Sequence, residues 1–541
     1  MRFFILLVIF CTSAIAADKP RIDVGVDPRM ELLAAVQLLS GYGEKYPGII
    51  TRYGFPYKAD MATYFAPYRN HRAVKLFAEM SDRFSYDAPP EAMLHLTDPP
   101  TLSVRIPFTD YLKMRASGDK NLDRAEALNA GEKRLQEFAD ALRNFARESD
   151  FQAFYDAHKG TYKAIWKTMD KELEGSSDWM SALEQYYGQS QASYNIIICP
   201  MFHPGGYGPR LESKGKSEVY EICGPSGVKD GLPAFGDKKT IRHLAWHEFG
   251  HSFVNPLSER FWKELEASSS LLKPIEQKMS KQAYGQWGNC VNEHIIRAVE
   301  IRLMVQQQGK GAEEILICEE RVRGFAYIEP LCRKLEEYEQ HRDKYPTFES
   351  FYPQIIGVFK SLSEQNLGPE FYRVFFGGTI NSAMYVADVL VIPTHEADPA
   401  VQKKIQDWVE RVHQGFYKKA VILSDDEALK QDLSGKTVVV YGTMTGNSWL
   451  ASLSADLPFK LESDRIMADK EYPGEHLRLI AAWPNPKNEE KGIVIYTAQQ
   501  AADVVGINGV FHGPTSFVVA TGTDILQADN YVRRDGKWTF K

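Results

Sequence analysis

Between Pro28 and about Asp398 the chain is written almost entirely in the helical period, which excludes an all-β architecture for its larger part. In "EKRLQEFADALRNFARE", Leu135, Phe138, Leu142 and Phe145 recur three and four residues apart and share one face of a helix. Within this region one run reads differently. "YNIIICP", Tyr194 to Pro200, is rich in β-branched residues and predicts a strand. A Gly/Pro-rich loop follows it, "HPGGYGPR", and then a second short strand candidate, "SEVYEIC".

The texture changes after the charged helical stretch "AVQKKIQDWVERVHQGFYKKA". From "KTVVVYGTMTGNSWLASL" onward, "TVVVYG", "LRLIAAWP", "GIVIYTA" and "SFVVATG" alternate with short helical or loop segments. That alternation predicts a small α/β domain on a largely parallel sheet. A chain of 541 residues exceeds one ordinary core. The expected organisation is α+β overall: a mainly helical domain over residues 17–415 with a short sheet, and an α/β domain over 416–541.

Residues 1–16 have the form of a secretory signal peptide: a short positive start, an apolar stretch from Phe3 to Cys11, and small residues at Ala14 and Ala16. The apolar stretch is well short of the ~20 residues that span a bilayer. The mature chain is expected outside the cytoplasm, periplasmic or extracellular, with no integral membrane segment. A net charge of −7 and the lack of a basic tract argue against a nucleic-acid partner. Five cysteines remain after cleavage, so at least one is unpaired. Cys199–Cys223 and Cys318–Cys332 are the sequence-local pairings.

Chemistry concentrates at "HLAWHEFGHSFVNP", residues 243–256. Positions i and i+4 of a helix project from one face, so His247 and His251 can present two imidazoles to one ion. Glu248 lies about 100° around the helix from His247, beside such an ion instead of bound to it. A carboxylate placed there can take a proton from attacking water and pass it to a leaving amine. Catalytic zinc usually has three protein ligands, so a third belongs on a separate downstream helix. "GQWGNCVNEHIIRAVEIRLM" supplies Glu293, with Glu300 two turns along the same face and His294 beside it as alternatives.

HEFGH followed by an "NE" helix resembles the gluzincin class of zinc metallopeptidases. By that resemblance His247, His251 and Glu293 bind Zn2+ and Glu248 is the general base. The class often carries an acidic residue four positions after the glutamate ligand; this chain has Arg297 there. The class also binds extended substrate along an edge strand, a role that "YNIIICP" would fill. "VDPRMELLAAVQLLSGY" together with "HEFGHSFVNPL" resembles a family of secreted bacterial proteins catalogued as a domain of unknown function. The stretch from "VVVYGTMTGNS" to "VGINGVFHGPTSFVVATGT" looks like an accessory domain found behind secreted bacterial hydrolases.

Candidates for an oxyanion donor are His203, Tyr207, Tyr385 and His395; no spacing selects among them, and the last two rank first because their place after the third ligand resembles the usual gluzincin order. Cys290, three residues before Glu293, reads as a buried small hydrophobe; as a fourth ligand it would close the site and make zinc structural. "VVVYGTMTGNSWL" lacks both G-x-G-x-x-G and G-K-[ST], so it reads as an ordinary strand–helix connection. The expected function is a secreted zinc-dependent hydrolase, a metallopeptidase cleaving peptide or protein substrates with a zinc-activated water. The alternative is a non-catalytic extracellular binding or surface-assembly protein with a structural or vestigial metal.

Overall fold

The computed structural model describes residues 22–540 apart from 119–120, 214–215, 375, 385, 511, 513–514 and 535–536. The expected signal peptide, residues 1–16, lies outside the described residues. The fold is mixed, about 51% helical with several small sheets, in keeping with the α+β expectation. It divides into two compact units. One reaches Leu257 and takes in Pro346–Glu349; the other comprises Ser258–Tyr345 and Ser350–Lys541.

In the first unit a four-stranded sheet is built from β1 (Ile22–Gly25), β2 (Ser193–Ile198), β3 (Arg210–Ser213) and β4 (Lys216–Cys223), in the order β1-β2-β4-β3. β2 runs parallel to both neighbours, pairing Tyr194 with Ile22 and with Val219. β3 pairs antiparallel to β4 and forms the edge. Both strands expected in this region are therefore present, but the order corrects one expectation. "YNIIICP" is an interior strand with both ladders filled, so it has no backbone groups left to pair with a substrate.

Period-2 alternation gives the sheet two different faces. Ile197, Tyr220 and Ile222 join a large cluster with α1 (Pro28–Leu39) and with Leu135, Phe138, Leu142 and Phe145 of α2 (Arg124–Glu148), the helical face expected from their spacing. Tyr194 on β2 instead meets Phe249 of α3 (Lys238–Arg260), ring centroids 5.1 Å apart. Val219, Glu221 and Cys223 alternate onto that second face.

In the second unit, α4 (Trp287–Gln308), α5 (Glu313–Arg323) and α6 (Ile328–Gln340) precede a seven-stranded sheet. Its strands are β5 (Val389–Ile392), β6 (Val421–Ser424), β7 (Val438–Tyr441), β8 (Leu477–Asn485), β9 (Asn488–Ala498), β10 (Phe517–Thr521) and β11 (Asp524–Asp529). They are ordered β11-β10-β8-β9-β7-β5-β6. From β9 to β6 the pairing is parallel, with α7 (Pro399–Phe416) crossing between β5 and β6. From β9 to β11 it is antiparallel. The sheet is thus only half parallel, because β8–β9 and β10–β11 are joined by turns too short for a crossover. It also takes in β5, ahead of residue 415, where the α/β texture becomes visible in the sequence. Among the described residues no helix is long and apolar enough to cross a membrane.

Candidate functional site

Asp237 starts α3, accepting from the Thr240 N–H at 2.8 Å and its hydroxyl at 2.6 Å. The helix is then fixed by its aromatic residues. The Trp246 indole N–H donates to the Trp179 carbonyl at 3.0 Å, and Phe253 stacks on Tyr187 at 4.3 Å. Ile241 and Phe253 are buried, whereas Leu244 is only half-buried. With that face anchored, His247 and His251 are neighbours on one side of the helix. Their ring centroids are 5.2 Å apart and their planes cross at 87°. His251 Nδ1 lies 3.2 Å from Asn255 Oδ1, a contact that makes Nδ1 the donor and leaves Nε2 with a lone pair. Two borderline-soft nitrogens at this spacing suit zinc, so the residues present fit the ion that the resemblance implies.

Glu248 is buried beside the pair. The strand-like segment before β3 lies directly on it. A Cβ added at Gly206 would come within 3.1 Å of the Glu248 carboxylate, and one at Gly208 within 2.6 Å of Oε2. These two glycines are required by close approach, not by their backbone conformation. Tyr207 between them exchanges both backbone bonds with Ile222, at 3.1 and 3.0 Å. The N–H and C=O groups of Gly206 and Gly208 therefore point to the opposite, outer edge.

The same alternation turns Tyr207 away from Glu248. Its hydroxyl lies 2.7 Å from His203 Nε2, and its ring packs against the helical cluster with Phe202. Tyr207 and His203 thus engage each other on the face remote from Glu248. On the near face stands Glu221, which sequence reading passed over. The residue is 1% exposed, and Oε2 has no hydrogen-bond partner. Burial raises its pKa well above the usual range, the Glu248 charge adds to the rise, and His247 opposes it. An acidic residue at an inward position of "SEVYEIC" is the signal that could have found it. The alternation also separates Cys199, packed in the helical cluster, from Cys223 on the Glu221 face. None of the five described cysteines forms a disulfide, so neither sequence-local pairing forms.

Glu293 belongs to the second unit, on α4, and is buried. The unexpected Arg297 is its partner: Nε and Nη2 donate to Glu293 Oε2 at 3.2 and 3.1 Å. Glu300 is buried on the same helix. His294 turns Nδ1 to the Cys290 carbonyl at 2.7 Å, between Phe325 and Tyr327, and burial lowers its pKa to about 4. The Cys290 thiol is fully buried, and burial pushes it up to about 12, which suits a small hydrophobe.

Tyr385 lies outside the described residues. His395 follows β5, half exposed, with Nε2 3.1 Å from Asp426 Oδ1 and 3.9 Å from Asp425. Asp425 is already engaged, accepting from the Ser448 N–H at 2.7 Å and from the Thr394 hydroxyl. The loop after β7 is closed by the protein itself. Glu396 accepts from the Thr443 N–H and hydroxyl, both at 2.8 Å, and a Cβ at Gly446 would meet the Glu396 carboxyl carbon at 1.9 Å. Internal carboxylates thus take the donors an anion would need here, Glu396 those of Thr443 and Asp425 the Ser448 N–H that opens the short helix Ser448–Ser452.

The chain belongs to a family defined by a domain of unknown function, DUF4932, whose model matches residues 22–358. That span contains α3, α4 and the first unit's sheet; the seven-stranded sheet lies beyond it. No curated protein and no solved structure matches the chain.

Proposed function

From a family with no assigned activity, we propose that this protein is an exported zinc-dependent hydrolase, a metallopeptidase whose ligands are His247, His251 and Glu293. The observation that carries the reading is the perpendicular His247–His251 pair with buried Glu248 on the same turn. The signal-like residues 1–16 support export. A bound zinc would supply Lewis acidity, polarising the scissile carbonyl and lowering the pKa of water.

The chain's own groups do the rest. Glu248 takes the proton of the attacking water and hands it to the departing amine. The outward N–H and C=O groups of Gly206 and Gly208 pair with an extended polypeptide, taking over the role expected of "YNIIICP". With no side chains at those two positions, substrate backbone can approach the Glu248 carboxylate closely. Tyr385 and His395 stand as oxyanion donors, tested by Tyr385→Phe and His395→Gln.

The test is elemental analysis of bound metal in the wild type, Glu293→Ala and Glu300→Ala, followed by peptide cleavage against Glu248→Gln. Stoichiometric zinc lost only with Glu293→Ala, and cleavage lost with Glu248→Gln, are expected. A wild type that takes up no zinc even when it is supplied overturns the proposal in favour of a non-catalytic binding protein.

A further inference from the structure

We infer that Arg297 is a positioning residue for Glu293, gripping one carboxylate oxygen so that the other is presented to the metal. The inference rests on the ligand set proposed above. A guanidinium beside a carboxylate commonly forks across both oxygens. Here the fork closes on one: Nε at 3.2 Å and Nη2 at 3.1 Å both donate to Glu293 Oε2, and Oε1 takes no part in the grip.

The guanidinium is itself held from two other directions. Its Nη1 donates to both oxygens of Glu320 on α5, each at 3.4 Å, and its Cζ lies 4.5 Å from the centre of the Phe325 ring. Glu320 is in turn steadied by Arg323 at 2.9 Å. All of Arg297 is buried, so little solvent competes for these bonds. Despite the burial, which works against its charge, Glu320, Glu293 and Glu300 hold the guanidinium protonated. A carboxylate ligand so gripped has lost its side-chain freedom before any ion arrives.

This arrangement reverses the outer-sphere electrostatics that the class resemblance led one to expect. An acidic residue at this position would act on the histidines. A guanidinium acts on the carboxylate, while His251 takes its orientation from Asn255. The two-point hold needs a planar fork. Lysine would keep the charge but supply a single mobile ammonium.

The experiment compares zinc affinity by chelator competition on refilled apoproteins of wild type, Arg297→Lys, Glu320→Gln and Glu293→Ala. Circular dichroism and thermal melts of each apoprotein are run alongside. Arg297→Lys is expected to weaken zinc roughly 10- to 100-fold while remaining folded. Glu320→Gln loosens the same helix pair but leaves both bonds to Glu293, so its affinity should stay near wild type with a lowered melting temperature. Wild-type affinity in Arg297→Lys, or equal losses in Arg297→Lys and Glu320→Gln, overturns the positioning role and leaves a structural ion-pair network. Full zinc content in Glu293→Ala removes the ligand set itself, an outcome distinct from either.

Discussion

Each unit contains a glycine-bearing strand end laid against a buried glutamate, and the two places differ in whether every buried carboxyl oxygen around them has a partner. In the seven-stranded sheet, Glu396 receives the Thr443 N–H and hydroxyl and fills the loop it closes. In the four-stranded sheet, Gly206 and Gly208 press on Glu248, and Glu221 nearby has an oxygen with no partner at all. A buried carboxylate with its bonds made stabilises a fold. One left without them costs free energy, and its retention points to something the fold alone does not need. The comparison assigns the first place to architecture and the second to chemistry.

The strongest way to break it is Glu248→Gln. If the second place is chemical, peptide turnover should fall roughly 10²- to 10⁴-fold with zinc content and melting temperature unchanged. A large loss of stability instead would put Glu248 in the same class as Glu396. The reciprocal change, Glu396→Ala, should cost about 3 kcal/mol of stability in urea unfolding and leave turnover per folded molecule intact, because it orphans the Thr443 donors. Lost turnover at full stability would show that the loop after β7 does more than close itself.

Glu221→Met sharpens the contrast further. Replacing a desolvated, unpaired carboxyl with an apolar group of similar length should raise apoprotein stability by about 1–3 kcal/mol while lowering turnover. Destabilisation would mean that its carboxyl is structural. The smallest effect concerns a third buried glutamate. Glu31 accepts from Tyr57, and burial lifts its carboxyl from 4.5 to about 8, with the Asp27 charge adding to the rise. Between those values the native chain holds a proton that the unfolded chain has lost. Glu31 therefore contributes its full stability below about pH 4.5 and less as pH rises towards 8, by up to about 1.4 kcal/mol per pH unit. Glu31→Gln should flatten that slope in denaturant melts across the same window; an unchanged slope would show that Glu31 is ionised in the native state.

Features set by local periodicity are legible in the sequence. The helical face of α2, the strands β2 and β4, and the four strand runs of the second sheet all follow from periods of 3.6 and 2. The placing of His247 and His251 on one side of α3 is likewise a consequence of helix geometry over five residues. Strand order is not local. Nothing within "YNIIICP" says that it will be flanked on both sides, because its neighbours are β1, over 160 residues earlier, and β4. Non-local pairing also decided that Gly206 and Gly208 face Glu248 while Tyr207 does not, and that Cys199 and Cys223 sit on opposite faces. Arg297 appeared in sequence only as a misplaced charge; packing of α4 against α5 and Phe325 made it the partner of Glu293. By itself, then, the sequence determined which residues share a face of a helix or strand. The tertiary structure decided what each face meets, since burial and charge pairing depend on segments far apart in the chain.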